Sequence, residues 1–129
     1  MKKILTTLVA VSTLSMSLYG YSQMERVKDM QLMETAMSEI QKGILYNNKK
    51  LVIEGVENLE KASANIEIAP KDSMDFSVRF AKRQSENIKM YAEKIKKNIQ
   101  EDHKHGATKN YTKVLNQCIS CHNKIRKWN

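Results

Sequence analysis

Two cysteines and a histidine near the C-terminal end of the chain are the residues best suited to chemistry. Cys118, Cys121 and His122 belong to the run Cys-Ile-Ser-Cys-His. If this segment is helical, positions i, i+3 and i+4 share one face, so both thiols point the same way as the imidazole. This spacing is typical of haem c attachment, in which the thiols add to two vinyl groups and the imidazole ligates the iron. The run therefore predicts one covalently bound haem c.

Two other uses of the cysteine pair stay open at this point. A thioredoxin-like redox motif is expected beside a βαβ pattern, whereas the region around Cys118 and Cys121 reads as helix with no strand nearby. A zinc site would need further ligands, and His103 and His105 stand at a spacing that matches none of the usual zinc patterns. A non-haem helical protein with a disulfide or a metal at this pair is therefore the remote alternative.

The first residues have the pattern of a secretory signal peptide. Lys2 and Lys3 precede an apolar stretch over residues 4–18, and small residues suited to cleavage follow. The stretch is short and diluted by threonine and serine, which makes an uncleaved membrane anchor the weaker alternative. We predict a signal peptide over 1–22 and a single domain over 23–129, located in the periplasm.

Hydrophobic periodicity predicts a helical organisation for the rest of the chain. The first three helices are expected over about residues 24–46, 49–66 and 73–101, the third with an N-cap at Asp72 or Ser73. Residues 103–108 are polar, contain Gly106 and predict a loop. The final helix is expected to carry Tyr111, Val114, Leu115, Cys118, Cys121, His122 and Ile125 on one inward face. The predicted fold is all-α, an antiparallel up-down-up-down four-helix bundle with haem c in its core.

Charge and composition exclude several function classes. The net charge is +8, but the lysines are spread along helical faces without a basic stripe interleaved with aromatic residues, so nucleic-acid binding is not expected. No acid/base pair, nucleophilic triad or phosphate-binding loop indicates an enzyme. The positive charge is typical of solvated helix faces, and it would also steer the protein towards an acidic partner.

A signal peptide, four helices and a C-x-x-C-H run near the C-terminus together resemble the class II c-type cytochromes, the cytochrome c′ family. The resemblance covers the architecture of the mature chain, and in residues it rests on Cys118, Cys121, His122 and Arg126. The family often has an aromatic residue where this chain has Ile125. The resemblance implies that Arg126 lies beside the proximal histidine, while a solvated arginine that suits the helix dipole is the alternative.

The resemblance also implies what such a protein does. A side chain in the sixth iron position gives a low-spin carrier of single electrons between periplasmic redox partners. An apolar residue there leaves five-coordinate iron that binds nitric oxide or carbon monoxide, which is the runner-up function. Aligning Arg26 with the basic pair near the start of the family's first helix places Met30 at the iron. Methionine is also a common core residue, and Met33 is expected to pack in that way.

Family members commonly pair through their first two helices. This resemblance implies a homodimer that buries residues off the main inward stripes, such as Leu32 and Leu51.

Overall fold

The computed structural model describes residues 23–68 and 78–125 and consists of four α-helices. They are α1 (Gln23–Leu45), α2 (Lys49–Ala64), α3 (Val78–Gln100) and α4 (Lys104–Ile125), and a 3₁₀ turn at Asn65–Ile68 follows α2. The described ranges contain no strand, which confirms the all-α prediction and supports a four-helix bundle. None of these four helices is both long and apolar enough to cross a lipid bilayer.

Three predictions fall on residues outside the described ranges. They are the signal peptide over 1–22, the N-cap of the third helix at Asp72 or Ser73, and the position of Arg126 beside the histidine.

The turn between α1 and α2 lies between the first two helices expected from the sequence, and it contains two asparagines. Asn47 has a φ of 57°, a left-handed conformation that asparagine tolerates better than most residues. Asn48 then caps α2, because its side-chain oxygen accepts a hydrogen bond from the backbone N–H of Leu51 at 3.1 Å. Asp102 lies in the turn between α3 and α4 and is also left-handed, with a φ of 60°.

The loop predicted over residues 103–108 is wrong, because α4 already begins at Lys104. Ala107 is fully buried and fixes this first turn against the core. Gly106 suits the position, since a β-carbon there would stand 2.9 Å from the side chain of Asn98 on α3. The glycine thus marks a close approach of two helices rather than a break in one.

The apolar stripes of the four helices meet in one core. The buried members are Met33, Met37 and Ile40 on α1, Val52, Val56 and Leu59 on α2, Ile88, Ile95 and Ile99 on α3, and Val114 on α4. Ile66 of the 3₁₀ turn is also buried, and Met30 is half-buried against the edge of this core. These positions confirm the inward stripes expected from the sequence.

Leu115 departs from its predicted inward position. Its side chain is 43% exposed, whereas the adjacent Val114 is fully buried. Successive residues of a helix differ by about 100° in direction, so Leu115 points away from the core axis when Val114 faces it.

Each helix contacts the next along the chain, and α4 returns to α1. The joining side-chain hydrogen bonds include Asn58 to Glu39 for α1 and α2, Ser85 to Ser63 for α2 and α3, Asn110 to Asn98 for α3 and α4, and Tyr111 to Gln41 for α4 and α1. The seam between α1 and α4 is the loosest of the four.

At one end of the bundle, an exposed ion pair and a hydrogen bond join its two turns. The ammonium group of Lys49 lies 2.7 Å from a carboxylate oxygen of Asp102, and Lys104 donates a hydrogen bond to Asn47. These contacts link the turn between α1 and α2 to the turn between α3 and α4. We call this the turn end of the bundle.

Candidate functional site

Helix α4 carries the three motif residues, and all of them are at least half-buried. Cys121 is 9% exposed, and Cys118 and His122 are half-buried. Cys118 packs against the hydrophobic core, as does Tyr111 two turns earlier. The prediction that the run is helical and shares one face is therefore confirmed. Both thiols are free.

Three hydrogen bonds show which parts of the other helices lie at the level of these thiols. The Asn65 amide donates to Asp29 at 3.2 Å, which joins the 3₁₀ turn to α1. The Ser85 hydroxyl donates to the carbonyl oxygen of Ser63 at 2.9 Å, joining α3 to α2. The Asn87 amide donates to Gln117 at 3.1 Å, joining α3 to the turn of α4 that precedes Cys121. These contacts define one end of the bundle, which we call the thiol end.

The thiol end differs in chemistry from the rest of the core. Among the described residues, the buried polar and charged side chains are Asp29, Ser63, Gln84 and Ser85. All four lie at the thiol end, whereas small buried residues such as Ala36, Ala92 and Ala107 occur along the whole core. From there to the turn end the buried side chains are apolar. Because burying polar groups is unfavourable unless they find partners, their concentration around the cysteines is informative.

Burial keeps both thiols protonated at neutral pH. The pKa of Cys118 is raised because its side chain is desolvated. Desolvation and the nearby charge of a Cys118 thiolate raise the pKa of Cys121 to about 11. Reactive or metal-binding cysteines normally have lowered pKa values, since the thiolate is the nucleophile and the ligand. This environment therefore disfavours a redox-active pair or a zinc site.

The histidines considered as extra zinc ligands lie far from the cysteines. His103 precedes α4 and His105 stands in its first turn. At 1.5 Å per residue the backbone of His105 is about 20 Å from that of Cys118. The described residues contain no cluster of three or more side chains suited to holding a metal ion. The structure thus does not bring the four residues of the zinc alternative together.

Two cavities lie in the described part of the molecule, and neither is lined by Cys118, Cys121 or His122. One, of about 310 Å³, is an outer groove between α1 and α2 that includes Leu32, and the other, of about 150 Å³, is at the turn end beside Lys49. The larger cavity also includes Asp29, Ala62 and Asn65, so it lies at the level of the thiol end but on the outer side of α1 and α2.

Sequence reasoning missed the buried polar residues around the thiols. Gln84 stands between Ala81 and Ile88 on the inward stripe of α3, so a polar residue at a core position was the available signal. Its side-chain oxygen is buried and accepts no hydrogen bond in the part of the chain that the structure describes. The residues expected at a homodimer interface are less distinctive, because Leu32 is 47% exposed and Leu51 is half-buried. Pairing therefore stays a prediction.

No protein-family model matches the sequence, and comparisons with curated proteins and with solved structures give no significant match either.

Proposed function

We propose that this chain is an exported monohaem c-type cytochrome that carries single electrons between periplasmic partner proteins. The observation that carries the proposal is the placement of Cys118, Cys121 and His122 on one helical face of α4, at the end of the core where the buried polar residues collect. A segment designed only for packing would have apolar residues there. The class II cytochromes remain the family that the chain resembles.

The contacts between helices support the antiparallel, up-down-up-down order on which the proposal depends. In α2 and α3, Glu57 pairs with Lys96 while the later Ser63 pairs with the earlier Ser85. Residue numbers thus rise in one helix as they fall in its neighbour. The same antiparallel order between α1 and α4 would place the later part of α1 beside the earlier part of α4. The hydrogen bond between Gln41 and Tyr111 is consistent with this order.

This register supports Met30 as the residue opposite the histidine. Met30 precedes Gln41 in α1 by as many residues as His122 follows Tyr111 in α4. In oppositely directed helices the two residues then stand at one level, on either side of the loose seam. Met30 is half-buried and packs on the edge of the core, so its thioether is held near this level by its neighbours.

The residues of the thiol end have separate tasks in this function. Cys118 and Cys121 would hold a haem through two thioether bonds, His122 would ligate the iron through its imidazole, and Met30 would supply a second iron ligand through its sulfur. Haem c supplies a centre that gains and loses one electron. The buried apolar residues of the core, such as Ile88 and Leu59, would exclude water from it.

Covalent haem is tested on protein expressed with its first 22 residues in a host that attaches haem c. The oxidised and reduced absorption spectra should show a c-type haem, and the colour should stay with the protein through acid–acetone extraction. Cys118→Ala and Cys121→Ala together should release it. Ser120→Ala is the matched control, because Ser120 stands between the cysteines but is exposed and bonds only to the α4 backbone in the described structure. Complete extraction from the wild type, or a spectrum without haem, would refute the proposal.

A further inference from the structure

Gln84 has a buried amide side chain whose hydrogen-bonding capacity is not fully used by the described residues. Its side chain is 5% exposed, and Oε1 lacks a hydrogen-bond partner within residues 23–68 and 78–125. The other buried polar residues of the thiol end are engaged, since Ser85 donates to Ser63 and Asp29 accepts from Asn65. Leaving an acceptor buried without a donor costs free energy. An apolar side chain of similar size would avoid this cost.

Contacts on both sides of Gln84 place it at the level of Cys121. One turn earlier on α3, the ring of Phe80 lies 4.5 Å from the Lys124 ammonium group. One turn later, Asn87 bonds to Gln117. Cys121 stands midway between Gln117 and Lys124 on α4, just as Gln84 stands between Phe80 and Asn87 on α3. Both midpoints are buried, so the amide and the thiol belong to the same layer of the core.

A carbonyl oxygen in such a layer acts on any charge that changes beside it. It carries a partial negative charge, and the surrounding medium of low polarity screens that charge weakly. Iron that loses an electron gains a positive charge, so the oxygen stabilises the oxidised form more than the reduced form. Polarity and hydrogen bonding around a haem are among the means by which a protein sets the reduction potential.

Resting on the proposed function, we propose that Gln84 lowers the reduction potential of the haem bound through Cys121. It does so as a positioned dipole and not as an iron ligand. Packing alone favours an apolar residue at this position. The carbonyl oxygen Oε1, which has no donor among the described residues, is the group that supplies the dipole.

The test measures the midpoint potential of the haem-loaded protein by spectroscopic redox titration. Gln84→Leu and Gln84→Met should both shift the potential to a more positive value, because each removes the carbonyl oxygen while keeping an apolar side chain of similar size. The absorption spectrum of each variant should keep the wild-type coordination bands, since no ligand is removed. Ser85→Ala is the matched control, because Ser85 is equally buried on the adjacent flank but already bonded to Ser63.

Equal potentials for the wild type, Gln84→Leu and Gln84→Met would overturn the inference. A shift of the same size and sign in Ser85→Ala would also overturn it, since any disturbance of the layer would then suffice. If Gln84→Leu fails to fold, the direction of the shift in Gln84→Met decides, since the unbranched methionine side chain is closer in shape to glutamine. A wild type without haem refutes the proposed function, whereas a haem-loaded wild type with insensitive variants refutes only the role of Gln84.

Discussion

The assignment of Met30 as iron ligand is open to a test that separates ligation from packing. Met30→Ala and Met33→Ala remove the same side chain one turn apart on α1. Met33 is 6% exposed, and replacing a buried methionine by alanine costs ~2–5 kcal/mol. Met30 is half-buried at the edge of the core, and its loss should cost only about 1–2 kcal/mol.

These magnitudes predict opposite rankings in two measurements. In the haem-free polypeptide lacking residues 1–22, urea unfolding should show the larger loss of stability for Met33→Ala. In the haem-loaded protein, Met30→Ala should turn a low-spin absorption spectrum high-spin and allow carbon monoxide to bind. Met33→Ala should leave the spectrum low-spin, since Met33 packs without reaching the iron.

Two results would refute this reasoning. A wild-type protein that is already high-spin and binds carbon monoxide has no methionine on the iron, and the gas-binding function would then be preferred. A spectrum that changes as much in Met33→Ala as in Met30→Ala would show that packing of α1, and not one sulfur atom, controls coordination.

Two further predictions concern the haem-free polypeptide. The pKa of Cys121 is raised from 9.0 to about 11, so the folded state favours the protonated thiol. The contribution of this thiol to the free energy of unfolding is complete below about pH 9 and is lost as the pH rises through about 11. Relative to Cys121→Ser, the wild type should lose about 2 kcal/mol of unfolding free energy over this interval, and a constant difference would contradict the burial of the thiol. Gly55→Ala should destabilise the fold by roughly 1–3 kcal/mol despite the better helix propensity of alanine, because the new β-carbon would stand 3.0 Å from the carbonyl oxygen of Ala36 and the backbone nitrogen of Ile40. Gly106→Ala is the control, since its β-carbon meets only the movable side chain of Asn98. Both variants are compared by urea unfolding. A loss of stability in Gly55→Ala that is equal to or smaller than that in Gly106→Ala would contradict the close approach of α1 and α2.

The sequence was sufficient for those features that depend on local pattern. The turn at Asn47 and Asn48 and the helical placement of Cys118 and Cys121 follow from residue type and a three- to four-residue repeat. The start of α4 could not be found in this way. Its first turn is polar and contains a glycine, a pattern common in loops, and the burial of Ala107 that holds this turn depends on the other helices.

The polar layer around the thiols depends on which helices become neighbours. Ser63 and Ser85 are unremarkable in sequence, and their burial makes sense only when a bond joins them across α2 and α3. Gln84 interrupts the apolar stripe of α3. A single sequence does not show whether such a side chain is buried in the core or whether the helix presents a polar face there at an exposed position. Leu115 is the opposite case, an apolar residue that is exposed. A residue at the edge of an apolar stripe is buried only if the adjacent helix approaches closely, and the sequence does not show how closely it does.

An exposed ion pair, between Lys49 and Asp102, and a hydrogen bond join the two turns at the turn end. The helical hydrogen bonds and the apolar core continue from there towards the thiols. The first and last helices of the chain meet only along the seam between α1 and α4, so closing this seam costs more chain entropy than any contact between successive helices. The seam is also the least extensive of the four helix contacts. Its closure has the largest loop to close and the least contact to offset that cost, so we expect it to be the last step in forming the bundle.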